Sequence, residues 1–558
     1  MVTIIDAIEV RGGAGTLTVL AADGTTRTAT WAAVHDRARR LAEVLNRRGV
    51  GRGDRVCLLA DTSVELVAAV QATWLAGAAV TMLPLPVRTA DAAYRARLER
   101  LLADARPALL ALGDPCRSLR PALARSFATA ELKELVAEAH GGLPATRPEI
   151  RPGDLAILQY TSGSTRDPRG VPVTHGHLTA NLAGIRSATR HEATHGCQLS
   201  WLPLYHDMGL VGGLALPMSC GCPLVLQSPV AFAARPIAWL EAVTSFRATV
   251  TGAPNFAWAL MARLLAARPL PDPAVRLDSL RLALTGAEPV DPAAMARFVA
   301  AAAPRGLDPA VVLCGYGLAE ATLAVTFSRP GAGLRTDVVD PVALESHGRA
   351  VAAPTPPGRS LARLGRPVPG TRIRIVDQTD GRVLGQRRVG RIEVAGPAVT
   401  AGYWGAPTTR PDRWLPTGDL GYLADGDLVV CGRESDVLFA AGRNVFPQDV
   451  EVVAGAVVSV RPGQAVAFGV PGPGTGDRLV VAVESASWAD TSAVAALRAA
   501  VVAAVVAEVG LTPREVVVLA PGHLCRTSSG KPRRAETRRR YLAGELARPV
   551  TTELEAIR

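Results

Sequence analysis

Leu155-Ala156-Ile157-Leu158-Gln159-Tyr160-Thr161-Ser162-Gly163-Ser164-Thr165-Arg166-Asp167-Pro168-Arg169-Gly170 is an apolar, strand-like run that passes directly into a loop of small hydroxylated residues, Gly and arginines. Backbone N–H groups, hydroxyl donors and positive charge in one tight turn suit a polyphosphate. The loop lacks the Gly-Lys-Ser/Thr ending of a Walker sequence, which disfavours a P-loop kinase or ATPase. Working outward, strand-like runs recur at residues 17–20, 55–60, 78–83, 223–226 and 280–285. Helical apolar spacing fills residues 31–48, which end at Gly49, and residues 63–76. Strand and helix alternate, which implies crossover units and a mainly parallel sheet.

After Gly365 the texture changes. Residues 371–376 and 389–394 alternate polar and apolar and are separated by turns, as in a compact β unit. Beyond Gly432, strand-like runs at 465–470, 479–483 and 515–519 surround an Ala/Val helix from about 492 to 509. The expected fold class is α/β: a large N-terminal domain of mainly parallel sheets, with a β-rich subdomain at about 365–432, plus a small α+β C-terminal domain of ordinary domain size.

At 558 residues the chain exceeds what one hydrophobic core usually supports. Its formal charge of +11 is carried by arginines spread along the whole length. The one dense run, Arg533, Arg534, Arg538, Arg539 and Arg540, lacks the interleaved aromatics of a single-strand platform, so nucleic acid is not the expected partner. An anionic substrate or an acidic protein partner fits at least as well. Eight cysteines are scattered, and Cys220-Gly221-Cys222 has no matching pair at metal-site spacing, so reduced structural thiols are expected. The sequence shows no leader pattern and no run of about 18 uninterrupted apolar residues, which predicts a cytoplasmic protein without integral membrane association.

Only two of the 61 basic residues are lysines, Lys133 and Lys531. Lys133 lies in the helical-looking Glu131-Leu132-Lys133-Glu134-Leu135. Lys531 follows Ser528-Ser529-Gly530, where a planar guanidinium would not replace a slim point charge.

The loop after Tyr160, Gly286-Ala287-Glu288-Pro289, Tyr316-Gly317-Leu318-Ala319-Glu320-Ala321-Thr322, Thr417-Gly418-Asp419, Gly432-Arg433 and Ser529-Gly530-Lys531 occur in this order. Together they resemble the adenylate-forming superfamily of acyl-CoA synthetases, nonribosomal peptide adenylation domains and luciferases. The resemblance covers nearly the whole chain. It implies an N-terminal adenylation domain at 1–432, a hinge at 433–436 and a mobile C-terminal domain at 437–558 carrying a catalytic-lysine loop. It further implies ATP as substrate with Mg²⁺. Nucleotide-binding residues would be Thr161, Ser162, Gly163, Ser164, Thr165, Gly286, Ala287, Glu288, Tyr316, Gly317, Glu320, Asp419 and Arg433. Lys531, Glu320 and Thr161 would be catalytic.

These roles have physical reasons. Tyr316 can stack on adenine, Glu320 offers a hard oxygen ligand to Mg²⁺, and Asp419 can accept both ribose hydroxyl hydrogens. Lys531 would bridge the substrate carboxylate and the α-phosphate as pyrophosphate leaves. Two departures stand out: Arg166 and Arg169 occupy positions where many members have Gly and Lys, and Ser435 stands where Asp or Lys is common.

Within the superfamily, Trp201-Leu202-Pro203-Leu204-Tyr205-His206-Asp207-Met208-Gly209-Leu210, Gly252-Ala253-Pro254-Asn255-Phe256 and Gly442-Arg443-Asn444-Val445-Phe446-Pro447-Gln448-Asp449 look most like fatty acyl-AMP ligases. Residues at about 337–364 resemble the insertion of that branch. The resemblance places His206, Asp207, Met208, Gly209 and Gly315 at an acyl pocket, and no third ligand suits His206 and Asp207 as a metal pair. His175 and His177 read as helix-start and surface residues. The implied reaction activates a fatty or related carboxylic acid and passes the acyl group to the phosphopantetheine thiol of an acyl carrier protein, in lipid, polyketide or lipopeptide biosynthesis. No carrier domain is recognisable after Lys531, so the carrier is expected to be a separate protein. An acyl-CoA ligase, including one retaining only thioesterification, is the first alternative. A non-catalytic adenylate-binding protein is the second.

Overall fold

The computed structural model describes residues 2–11, 13–86, 92–142, 148–161, 169–191, 196–353, 358–406, 414–440, 443–460, 464–472, 476–526 and 532–546. Two large sheets form its framework. In the first, the strands Thr129–Glu131, Leu109–Leu112, Arg55–Leu59, Ala79–Met82 and Leu155–Thr161 run parallel in that spatial order, and Arg169–Thr174 closes one edge antiparallel. In the second, Val312–Gly317, Leu282–Thr285, Val250–Ala253, Gln198–Ser200, Leu224–Gln227 and Thr16–Leu20 are parallel. Its edges are antiparallel: Ala324–Phe327 with Arg366–Pro367 on one side, Thr26–Thr30 on the other.

The helix Val64–Leu75 packs against strands of both sheets, which explains why it is apolar nearly all round and buried along its length. Trp74 is fully buried and spends its one polar group on the carbonyl of Ala156 at 2.9 Å. The helix Trp31–Arg47 lies beside it, capped by Thr30, whose Oγ1 accepts from the N–H of Ala33. A second core is aromatic: Trp201 stacks on Phe232 at 3.6 Å, and Trp239, Trp258 and Phe298 follow in contact.

His175 begins the helix His175–Thr189, as expected, and His177 closes a capping box with Thr174. His175 is not a surface residue, and His177 is only partly exposed. His175 is fully buried, and burial lowers the His177 imidazole below its usual value, because the first turn of this helix packs inward rather than facing solvent.

The expected β unit is a four-stranded antiparallel sheet of Arg372–Val376, Gly390–Ala395, Leu415–Ala424 and Asp427–Arg433. Arg366–Pro367, which the texture change placed with it, instead pairs with Ala324–Phe327 of the second large sheet. Beyond Arg433 comes a 3₁₀ turn, Glu434–Asp436, followed by the hairpin of Leu438–Ala440 and Arg443–Val445. A three-stranded sheet then joins Ala465–Pro471 and Asp477–Glu484 antiparallel and Glu515–Leu519 parallel. Among the described residues one helix, Thr491–Val509, is long and apolar enough to cross a membrane by length and composition. Its Leu497, Val501 and Val505 pack into the core formed with Val450, Val481 and Val516.

The segment read as an insertion forms a hairpin, Thr336–Val339 with Arg359–Ala362, bridged by the helix Pro341–His347. Its Pro-rich run at 354–357 lies outside the described residues. Two partly buried acid–base pairs tie this unit to the segment that follows the 3₁₀ turn. Arg443 Nη1 reaches Glu345 Oε2 at 2.9 Å, and Arg359 Nε reaches Asp449 Oδ1 at 2.9 Å while its guanidinium lies over the ring of Phe446.

Candidate active site

The C-terminal ends of the parallel strands open into one cleft of about 1710 Å³. It is bounded on the far side by Arg526, Pro532, Arg533 and Arg534 of the C-terminal segment. Ligand sites outside the carboxyl ends of parallel strands are the rule for open α/β sheets.

Of the sequence-predicted residues, Thr161, Gly286, Ala287, Glu288, Tyr316, Gly317, Glu320, Asp419 and Arg433 all line this cleft, as do His206, Asp207, Met208 and Gly315. Ser162, Gly163, Ser164, Thr165 and Lys531 lie outside the described residues. The residues flanking them are placed: Thr161 pairs with Arg169 across the first sheet, and Arg526 and Pro532 both line the cleft. Gly209 is the exception. It does not line the cleft but is buried where a Cβ would collide with the backbone carbonyl of Pro203, so its role is to let the 206–210 turn close.

Tyr316, at the end of the strand Val312–Gly317, donates its phenol hydrogen to Asp419 Oδ2 at 2.6 Å. Arg433 Nε donates to Asp419 Oδ1 at 3.1 Å, and the Asp419 N–H donates to Thr417 Oγ1. Both carboxylate oxygens are thus held, each with lone-pair capacity for a further donor. Burial pushes the Asp419 carboxyl above its ordinary value, with Arg433 and the Tyr316 hydroxyl pulling it back. Burial and the Asp419 charge push the Tyr316 phenol well up, so it stays a neutral donor.

Glu320 sits in the 3₁₀ turn Ala319–Ala321, and Tyr403 donates to its Oε1 at 2.7 Å. The Arg169 guanidinium lies 5.1 Å over the Tyr403 ring, and the Trp404 N–H bonds the Gly170 carbonyl, which ties the end of the phosphate-loop segment to this carboxylate. Tyr403 was not foreseen. Burial and its hydrogen bond to Glu320 raise its phenol to about 12. Glu320 fits a hard divalent cation: it is a carboxylate on the cleft wall, beside a loop suited to phosphates.

A second arm of the cleft is mainly apolar, walled by Leu199, Met208, Gly212, Gly213, Gly252 and Leu284. The Met208–Ala215 segment is a π-helix, a wide form that recurs at functional sites. At its entrance the His206 Nδ1 and Asp207 Oδ1 are 2.6 Å apart, and the Met208 N–H donates to Asp207. This pair and the Met208 N–H fix the turn.

On the C-terminal side, Arg534 reaches Glu451 at 2.6 Å and Asp436 of the 3₁₀ turn at 2.8 Å. Arg526 donates to Gln464 Oε1 at 3.0 Å; burial lowers its pKa, an effect that Glu484, Glu451 and Glu288 oppose.

Parallel sheets opening onto a cleft with a tyrosine-held acid, a second carboxylate beside the phosphate-loop ends and an apolar arm define an adenylate-forming, AMP-forming ligase. The chain belongs to the AMP-binding enzyme family, whose pattern it matches over residues 11–404. It is 40% identical over 518 residues to the Mycobacterium tuberculosis protein Rv1013, covering 91% of this chain and 94% of that one. It is 32% identical over 533 residues to JamA of Moorena producens, named a medium-chain-fatty-acid–[acyl-carrier-protein] ligase, covering 92% and 89% of the two chains. A solved structure from a study of fatty acyl-adenylate ligases of E. coli and L. pneumophila superposes with a TM-score of 0.88 at 32% identity, covering 98% of each chain. The names of other relatives carry CoA as the acceptor.

Proposed function

We propose that this enzyme activates a fatty acid with ATP to an acyl adenylate and passes the acyl group to the phosphopantetheine thiol of a separate acyl carrier protein. The observation that carries this reading is the joining, in one cleft, of the Tyr316–Asp419–Arg433 cluster, Glu320 and an apolar arm long enough to be walled by several strands.

Tyr316 offers its ring to adenine, while Asp419 accepts from the ribose hydroxyls and is held in place by Tyr316 and Arg433. Thr161 and the loop after it receive the phosphates. Glu320, oriented by Tyr403, would hold Mg²⁺, which supplies charge neutralisation on the phosphates when bound. The substrate carboxylate attacks the α-phosphorus, the bond to pyrophosphate breaks, and a mixed anhydride forms. Lys531, whose flanking residues line the cleft, stabilises charge on the carboxylate and α-phosphate. No protein nucleophile is required. In the second step a thiolate attacks the acyl carbon and AMP departs.

The residues 433–436 serve as the pivot between a unit at 1–432 and one at 437–558, a form of gating that controls many turnovers. The paired contacts Glu345–Arg443 and Arg359–Asp449 restrain that pivot and favour the carrier protein over free CoA. The relatives named for CoA support the second reading, an acyl-CoA ligase. Exchange of labelled pyrophosphate into ATP with a panel of fatty acids tests adenylation, and Lys531→Ala is expected to lose most of it. Absence of exchange with every acid would sink the proposal. Offering the loaded enzyme CoA and carrier protein side by side then separates the two acceptors. Transfer to an acidic carrier surface is expected to fall steeply with salt.

A further inference from the structure

Cys220-Gly221-Cys222 has no partner in the sequence at metal-site spacing, but the fold supplies one from elsewhere. His191, two residues beyond the helix His175–Thr189, brings its Nε2 to 3.3 Å from Cys222 Sγ. One ligand atom from each of His191, Cys220 and Cys222 lies within 4.8 Å of the others, and among the described residues this is the one such convergence of three His, Cys, Asp or Glu side chains. Around a tetrahedral zinc ion, bond lengths of about 2.3 Å to sulfur and 2.0 Å to nitrogen separate such ligand atoms by roughly 3.5 to 3.8 Å. Closing on an ion therefore asks for side-chain shifts of an ångström or less.

The backbone is already fixed for this. Cys220 ends the helix Leu216–Cys220, and Gly221 takes the left-handed conformation that reverses the chain into Leu224–Gln227. The Cys222 carbonyl accepts from Trp31 Nε1 at 2.7 Å and its N–H donates to the Pro217 carbonyl. Both cysteines are buried, all eight cysteines of the chain are free of disulfides, and His191 lines the cleft with Ile185 and Thr189.

We propose that His191, Cys220 and Cys222 form a binding site for a soft, thiophilic cation of the zinc class. The donor set is two sulfurs and one imidazole with no carboxylate, which selects zinc-like ions over Mg²⁺ and Ca²⁺. The imidazole is also set for ligation. Burial and the Arg186 charge lower the His191 imidazole below its usual value, which keeps it neutral and able to ligate. The Cys222 thiol is raised by its contact with Cys220, by burial and by Cys197, and only Arg186 opposes this. Coordination as thiolates displaces the thiol protons. An ion here would pin the end of one helix to the start of a central strand, far in sequence from Glu320 and Lys531.

The test uses the full chain, reduced and stripped of metal with a chelator, titrated with Co²⁺ and then Zn²⁺. One equivalent of Co²⁺ is expected to give a sulfur-to-cobalt charge-transfer band with release of thiol protons, and one equivalent of Zn²⁺ abolishes the band by displacing Co²⁺. The band should weaken in Cys220→Ser or in Cys222→Ser and vanish in the double variant, and His191→Gln should weaken Zn²⁺ binding about tenfold or more. Cobalt binding without the charge-transfer band, or no binding at all, overturns the proposal on the unmutated chain alone. A band that survives in the double serine variant overturns it as well.

Discussion

The Tyr316 hydroxyl and Asp419 Oδ2 are 2.6 Å apart, joining the end of a parallel strand to an antiparallel one 103 positions further along the chain. A single hydrogen bond thus presets the distance between the proposed adenine platform and the proposed ribose acceptor. Tyr316→Phe keeps the ring and removes the bond, and is expected to raise the KM for ATP several-fold. Asp419→Ala removes the acceptor itself, and a loss of about 10- to 100-fold in kcat/KM for ATP is expected, the scale of a hydrogen bond to a charged group. Pyrophosphate exchange as a function of ATP concentration measures both, and equal effects of the two substitutions would contradict the assigned roles.

Glu320→Gln keeps the size of the side chain and can still meet the Tyr403 hydroxyl, but it gives up the charge proposed to hold Mg²⁺. Adenylation is expected to fall about 10²-fold, with half-saturation shifted to higher Mg²⁺. Tyr403→Phe should show the same direction with a smaller amplitude. An unchanged Mg²⁺ titration in Glu320→Gln would remove this residue from the metal.

Burial raises the Glu345 carboxyl to about 7 and that of Asp449 to about 6, despite Arg443 and Arg359 beside them. Both lie above the ordinary carboxyl values of an unfolded chain, so the folded protein binds these protons more tightly. Their contribution to stability is fully present below about pH 4 and is lost as pH rises through the folded values, about 6 and then about 7. The melting temperature should carry a downward step across this window. Glu345→Gln is expected to flatten its upper part. A step of the same size in that variant would exclude Glu345 as its source.

Substituting Gly209 by Ala places a methyl group against the Pro203 carbonyl, a fixed backbone atom. Destabilisation of about 1–3 kcal/mol is expected, together with a loss of adenylation, since the same turn carries His206 and Asp207. Denaturant unfolding and fatty-acid-dependent exchange would report the two effects separately.

The double variant Arg359→Ala, Arg443→Ala cuts both acid–base links between the 336–362 hairpin and the segment after the 3₁₀ turn. Its expected signature is a higher ratio of acyl-CoA to acyl adenylate than the parent enzyme gives. A ratio that stays constant while stability drops would assign these pairs to folding alone.

The alternating elements were legible because each strand is a short apolar run punctuated by Gly or a turn, and the helix Trp31–Arg47 shows its buried stripe at 3.6-residue spacing. The strand Thr26–Thr30 was missed, since almost all of its side chains are exposed and it carries no alternating pattern. The motif residues around Tyr316, Glu320 and Asp419 could be read because they cluster within short segments. Tyr403 could not, as nothing near it in sequence signals that its hydroxyl reaches Glu320. The same holds for His191, separated from Cys220 by 29 positions that the fold closes. The partly buried pairs of Arg359 and Arg443 were hidden for a further reason: an arginine in a sequence with so many looks like solvated surface until its partner is seen.

Arg534 grips Asp436 and Glu451 at once, and all three lie beyond Ser435. Asp436 is the last residue of the proposed pivot at 433–436, so this clasp holds that end of the pivot to the unit beyond it. The segment from Pro532 onward, directly after Lys531, would then swing like the head of a rigid lever, at a fixed radius from its fulcrum. Such a lever would return this side of the cleft wall to the same place after every stroke, so precision of aim would not depend on rebuilding the cleft each turnover.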